Sequence, residues 1–231
     1  MLARQIESRI AAGRYAVGSQ LPTEPALEHE FGVSRITIRQ ALGLLKRRGL
    51  LASKSGLGTV VRSPGPDSKS MTVSGSMRDL TYYAAGTRYT ALDRKLIKPP
   101  AAIAAILKQP SSVTVVRFRG LRARPHGGQF GLEEVYIPEP LGRSLDNAHL
   151  GTTTLFARLE EVNGVKISEV GQVITAVAAS SAVAKALEVS ARTPMLKAMR
   201  IYRLSGGEVV EIAVSYYNPA KFEYTMKLFP D

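Results

Sequence analysis

The sequence predicts an α+β protein in two parts, a small helical unit closed by a β-hairpin and a larger unit built on an antiparallel sheet. Three observations predict it. Two short helical patterns separated by a glycine turn run from Leu21 to Arg47 and lead into a glycine-tipped pair of strands. The stretch Ser63-Pro64-Gly65-Pro66-Asp67-Ser68-Lys69-Ser70 is polar and holds two prolines, the composition of an exposed linker. Beyond it the pattern changes to long strands that follow one another through short turns, which favours antiparallel pairing over a parallel, doubly wound sheet. The expected division is residues 1–62, a linker over 63–75, and residues 76–231.

The first unit opens with an amphipathic helix, in which Leu2, Ile6 and Ile10 fall on one side and Arg4 and Arg9 are available near the other. A second helix starts at Thr23, whose hydroxyl can cap free amides, with an acid at Glu24 and a proline at Pro25 where the missing N–H does no harm. That helix is short. Leu27 and Phe31 lie one turn apart on its buried face, and Gly32 stands where a left-handed residue ends it. A third helix begins at the Ser34 cap. Ile38, Ala41, Leu42 and Leu45 recur there at helical spacing and face inward, which turns Arg35, Thr37, Arg39 and Gln40 outward. After Lys46-Arg47-Arg48 and a stop at Gly49, residues 50–54 and 59–61 read as strands joined by Ser55-Gly56-Leu57-Gly58.

A capped short helix, a tight turn, a helix with basic residues at its start and a glycine-tipped hairpin occur in that order within about forty residues. This is the arrangement of a winged helix-turn-helix, and it predicts binding to double-stranded DNA. Arginine can bond the acceptor edge of guanine with two parallel donors, threonine and glutamine can bond bases or phosphates, and the helix amino end attracts phosphate. Lys54, the glycine amides of the hairpin and Thr59 can press on a phosphate strand or the minor groove. A basic helix face that is only solvated is the competing reading, and the ordered combination outweighs it.

Charge agrees with a polyanionic partner. The formal net charge is +12, and residues 1–62 carry 10 basic against 4 acidic side chains, so net positive charge is about threefold denser there than in the rest of the chain. With no cysteine, disulfides and thiol catalysis are excluded, and a reducing cytoplasm is the expected compartment. The histidines His29, His126 and His149 are scattered without ligand spacing, so neither a metal nor a cofactor is expected. No apolar run is long enough to span a bilayer and no signal peptide opens the chain, so no membrane partner is expected.

In the second unit, residues 88–97, 113–122, 129–137, 166–178, 195–205 and 208–217 read as strands, the last two forming a hairpin at Gly206-Gly207. Residues 100–109, 153–162 and 181–189 read as helices. Arg117 and Arg119 are two apart in a strand, hence on one face and about 7 Å apart, close enough to converge on one anion. By the same period Glu211, Ala213, Ser215 and Tyr217 share a face of the last long strand, and Arg200 and Tyr202 share one on its neighbour. Two readings stand side by side: ion pairs on a solvated sheet face, or a ligand site.

The segments LPTEPAL, FGVSRITIRQAL and KRRGLL followed by GLGTVV resemble the GntR family of bacterial winged-helix regulators, over nearly all of residues 1–62. The resemblance implies DNA contacts from Thr23, Ser34, Arg35, Thr37, Arg39, Lys54 and Gly56. The family's usual arginine after the glutamate is Pro25 here, so its DNA contact is missing and operator preference is expected to differ. From about Ser76 onward, VVRFRG, EEVYIP, TTLFARLEE and RIYRLSGGEVVEIAVSYYNP resemble the UTRA effector-binding domain of the HutC subfamily, whose fold is similar to chorismate lyase. Carried over, this implicates Arg117, Arg119, Glu133, Thr154, Phe156, Arg200, Glu211 and Tyr217 in a pocket for a small, often anionic metabolite. Many relatives have Ser and Tyr where this chain has Thr154 and Phe156, so one hydroxyl is kept and one lost.

The function expected from these readings is a ligand-responsive transcription factor, a homodimeric repressor whose operator affinity changes when an effector binds. Sugar phosphates, carboxylates and phosphonates all suit paired arginines. A constitutive regulator whose second unit only dimerises is the alternative. A lyase-like enzyme is weaker: the sequence offers no nucleophile elbow, metal cluster or phosphate loop, and fold does not license activity.

Overall fold

The structure is a computed structural model. It describes all residues except 1, 12, 13, 17, 48, 49, 62–69, 74–76, 109–112, 125–127, 147–152 and 227–231. Contacts divide the chain into two compact units, Met1–Ser68 and Lys69–Met226.

The first unit comprises α1 (Leu2–Ala11), α2 (Glu24–Phe31), α3 (Arg35–Arg47), β1 (Leu51–Lys54) and β2 (Gly58–Val61). Ile6, Leu27, Ile38 and Leu45 are fully buried where the helices meet, and Leu51 and Val61 join them from the hairpin. Each such side chain contributes about 1.5–3 kcal/mol on burial. β1 and β2 pair antiparallel from Leu51↔Val61 to Lys54↔Gly58. The segment before α2 adds a third rung: Gln20 bridges Val60, and the Leu21 N–H donates to the Thr59 carbonyl at 2.8 Å. Arg9 is not available as the sequence suggested. Its guanidinium pairs with Glu30, donates to the Tyr15 hydroxyl at 3.3 Å and lies 4.1 Å from the centroid of the Phe31 ring, so it ties α1 to α2.

The second unit begins with β3 (Ser70–Val73) and α4 (Met77–Ala85), then β4 (Arg88–Ile97), α5 (Ala101–Leu107), β5 (Val115–Arg124), β6 (Gly128–Pro138) and α6 (Glu139–Gly142). It continues through α7 (Leu155–Asn163), β7 (Ile167–Ala178), α8 (Ser181–Leu187), β8 (Pro194–Leu204), β9 (Val209–Tyr217) and β10 (Glu223–Met226). Six strands form one sheet in the order β4-β5-β6-β9-β8-β7, antiparallel throughout, as the short connections require. β3 and β10 form a separate parallel pair. Of the expected linker, only Ser70–Val73 is among the described residues, and it is strand β3; the rest, like Gly49, His126 and His149, lies outside them.

Both faces of the sheet are covered, which the sequence reading did not anticipate. On one face α5 packs Ile103 and Leu107 over Val115, Tyr136 and Ile212, and α8 packs Val183 and Leu187 over Leu121, Leu132 and Met195. The other face carries the main core, with Phe118, Val135, Ile137, Ala198 and Tyr217 under Leu80 of α4 and Leu155, Phe156 and Leu159 of α7. Helices α4 and α7 therefore roof the inner face, and the candidate site lies beneath them.

Candidate DNA interface and effector cavity

All seven residues expected to touch DNA are exposed. Thr23 caps α2, its hydroxyl accepting the Ala26 N–H at 3.4 Å, and Gly32 ends the helix with φ 62°. Ser34 caps α3: its oxygen accepts the Thr37 N–H at 3.4 Å and lies 3.0 Å from the Thr37 hydroxyl, so the two hydroxyls bond each other. Arg35 donates through Nε to Glu24 at 3.0 Å while remaining largely in solvent. Arg39 and Gln40 are exposed along the same helix. Lys46 donates to Ser53 at 2.9 Å and fastens α3 to β1. At the hairpin tip Gly56 and Gly58 have φ of 77° and 73°, which side chains with a Cβ rarely adopt, leaving Lys54 and the tip amides exposed.

The cavity in the second unit, the candidate effector site, has a volume of about 50 Å³, enough for a few waters. Its floor is the inner face of four adjacent strands: Arg122 of β5, Glu133 of β6, Glu211 and Ser215 of β9, and Arg200 and Tyr202 of β8. Register brings them together, since Glu133 is opposite Ser215, Tyr202 opposite Glu211, and Arg200 opposite Ala213. Its roof is Leu80 and Tyr83 of α4 with Thr154, Leu155 and Phe156 at the start of α7, and Tyr89 of β4 closes one side. Thr154 caps α7 by accepting the Ala157 N–H at 3.3 Å, so the helix presents its amino end to the cavity.

Two buried guanidinium groups dominate the electrostatics. Arg122 grips Glu133 with two parallel bonds of 2.8 and 3.0 Å, donates to Thr87 at 2.8 Å, and has the rings of Tyr83 and Tyr89 at 5.8 and 5.5 Å. Among the described residues Arg200 has neutral hydrogen-bond partners, Gln172 at 2.7 Å, the Met71 sulfur at 3.5 Å and the Tyr217 hydroxyl. Gln172 is held in turn by Tyr224 at 2.8 Å, so the β3–β10 pair backs this arginine. Burial, assisted by the charge of Glu133 and opposed by Arg200, pushes the Glu211 carboxyl up to about 8. Glu211 is therefore largely protonated at neutral pH. Its Oε2 and the hydroxyls of Tyr83 and Tyr89 are buried without a hydrogen-bond partner among the described residues. Unpartnered polar atoms beside two guanidinium groups mark a candidate site for a polar ligand.

Of the residues the resemblance implicated, Glu133, Thr154, Phe156, Arg200 and Glu211 line the cavity. Arg117 and Arg119 do not. They sit on the opposite face of β5, where Arg117 pairs with Asp93 at 2.7 Å and Arg119 with Glu134 at 3.3 Å. The cause is the two-residue period: Val116, Phe118 and Arg122 face the core, and the odd-numbered arginines face away. Tyr217 is also outside the lining, buried in an aromatic stack with its ring centroid 3.9 Å from that of Phe222. Tyr202, read from the sequence as sharing the Arg200 face, also lines the cavity, whereas Arg122, Tyr83 and Tyr89 were missed. Running the alternation Val116, Phe118 on to 122 picks out Arg122, but Val115 and Leu121 make the other face apolar too, so the pattern alone is ambiguous.

The amino-terminal unit and the cavity-bearing sheet define a two-part regulator, and comparison with known proteins agrees. Residues 1–61 match the model of the bacterial regulatory proteins of the gntR family, and residues 85–223 match the UTRA domain. The chain is 28% identical over 230 residues to the HTH-type transcriptional regulator Rv0792c of Mycobacterium tuberculosis, covering 98% of this chain and 84% of that protein. It is 28% identical over 223 residues to the HTH-type transcriptional repressor NagR of Bacillus subtilis, covering 95% and 90%. The crystal structure of the possible transcriptional regulator YydK of B. subtilis superposes with a TM-score of 0.65 at 22% identity, over 99% of this chain and 97% of that one, which shows a shared fold. The chain belongs to the GntR family, in the group that carries a UTRA domain. It is a DNA-binding transcriptional regulator with a metabolite-binding domain, and its relatives are regulators rather than enzymes.

No described helix is long and apolar enough to cross a membrane. Among the described residues, no group of three or more His, Asp or Glu side chains is placed to hold a metal ion.

Proposed function

We propose that the protein is a homodimeric repressor of the HutC type, working in the cytoplasm, whose inner-face cavity binds a small anionic metabolite. The carrying observation is the buried Arg200, whose hydrogen-bond partners among the described residues are neutral, beside Arg122, the amino end of α7 and the Glu211 oxygen that has no partner among those residues. A carboxylate or phosphate there gains charge-assisted bonds, and the tyrosine hydroxyls suit a polyhydroxylated body. Thr23, Ser34, Arg35, Thr37, Arg39, Lys54 and Gly56 contact the operator, and a dimer reads a two-fold site. Effector changes operator affinity by the difference in its affinity for the free and DNA-bound arrangements.

The test is a thermal-shift screen of the full chain against sugar phosphates, carboxylates and phosphonates, followed by operator binding with and without the hit. Stabilisation by one class, lost in Arg200→Gln and kept in Arg117→Ala, supports the cavity as the effector site. A hit that leaves operator affinity unchanged would favour the alternative of a constitutive regulator whose second unit serves dimerisation.

A further inference from the structure

We propose that Ile36 is a specificity-determining residue of the DNA interface, reading the C5 methyl group of a thymine in the major groove. Ile36 is 70% exposed, the most exposed large hydrophobic side chain among the described residues. Its position on α3 is not accidental to the core. At about 100° per residue, the buried seam of Ile38, Ala41, Leu42 and Leu45 centres on one side of the helix, and Ile36 lies about 180° away. Arg39 and Gln40, three and four residues on, share that outer face, whereas Arg35 and Thr37 flank it to either side.

The polar groups near the helix start also bond within the protein and lie to the sides of Ile36. Arg35 is drawn to Glu24 through Nε, and the Ser34 and Thr37 hydroxyls bond each other. What the middle of the outer face presents is therefore an isoleucine bordered by one guanidinium and one carboxamide. A helix that enters the major groove puts its amino-terminal residues against base edges. The apolar group on those edges is the thymine methyl, and no other base offers one. An isoleucine held there loses water only against that methyl; cytosine at the same place presents an amino donor that it cannot satisfy.

The 231-residue chain is used to select its operator from random duplexes, and each thymidine of the footprint is then replaced singly by deoxyuridine. That exchange removes the methyl and keeps every hydrogen-bonding group. At one or more positions wild-type affinity is expected to fall about fourfold, the worth of one buried methyl. Ile36→Ala is expected to bind the thymidine operator weaker by a similar factor and to bind thymidine and deoxyuridine operators alike at those positions. Indifference of the wild type to every replacement overturns the proposal, and this arm does not depend on how the variant folds. Discrimination that persists undiminished in Ile36→Ala assigns the methyl contact to another side chain and overturns it equally.

Discussion

The two units deploy their polar side chains in opposite ways. In the amino-terminal unit Arg35, Arg39, Gln40 and Lys54 stand in solvent, and their protein contacts are local or along one face. In the second unit Arg122, Arg200 and Glu211 are each 5% exposed or less and are positioned by strands distant in sequence. The difference follows from the size of what is bound. A duplex brings its own large surface and charge, so the reader can be a convex, solvated helix end. A small metabolite must be surrounded, so its receptor has to bury charges and hold them with tertiary contacts.

The contrast can be broken most severely at Arg122. Replacing it with Met strands Glu133 in the interior, and the second unit is expected to lose about 3–5 kcal/mol in chemical denaturation. The pair Arg122→Met with Glu133→Leu is expected to recover much of that loss, which an exposed DNA-contact pair would have no reason to do.

Glu211 gives a pH signature of the buried site. Its folded pKa of about 8 lies above the usual 4.5, so the folded state holds a proton that the unfolded state has released between those values. Stability is expected to fall as pH rises through that window, by about 1.4 kcal/mol per pH unit at most, and to level off above it. Glu211→Gln removes this slope, so its advantage over wild type should grow from pH 5 to pH 8 in denaturation curves. A constant difference across that range would mean that the carboxyl is already ionised in the fold.

Gly120 tests how tightly the cavity wall is built. A Cβ there would meet the Tyr89 ring at 2.2 Å, so Gly120→Ala must push Tyr89 aside. A cost of about 1–3 kcal/mol is expected in thermal unfolding, with weakened effector binding because Tyr89 lines the cavity. In the first unit the corresponding local change is smaller: Thr23→Ala removes the α2 cap and should cost about 1 kcal/mol.

The smallest effect is expected from Arg117→Ala. Its partly exposed pair with Asp93 contributes about 1 kcal/mol or less, and effector binding measured by calorimetry should be unchanged.

These regions also differ in how far they could be read in advance. Thr23, Gly32, Ser34 and the Gly56 turn signal α2, α3 and the hairpin through contacts only a few residues long, so the first unit was legible nearly element by element. In the second unit the strands and three helices were visible by period, but α4, β3 and β10 were not. α4 is a nine-residue helix next to a polar stretch, and β3 is stabilised by β10, more than 150 residues away. The cavity was half legible: Glu133, Thr154, Phe156, Arg200 and Glu211 line it, whereas the choice of Arg122 over Arg117 and Arg119 was not readable.

The sequence by itself determined the class of the protein, the caps and turns of its DNA-binding unit, and the antiparallel order of strands joined by short loops. All of these depend on neighbours in the chain, whose geometry propensity and periodicity encode. Only the tertiary structure decided which face of β5 is interior, because α5 and α8 bury the face that a one-sided sheet would leave to solvent. It likewise decided that the Glu211 carboxyl is pushed up by burial and that the hydrogen-bond partners of Arg200 among the described residues are neutral, because burial and charge pairing are set by side chains that converge from separate strands.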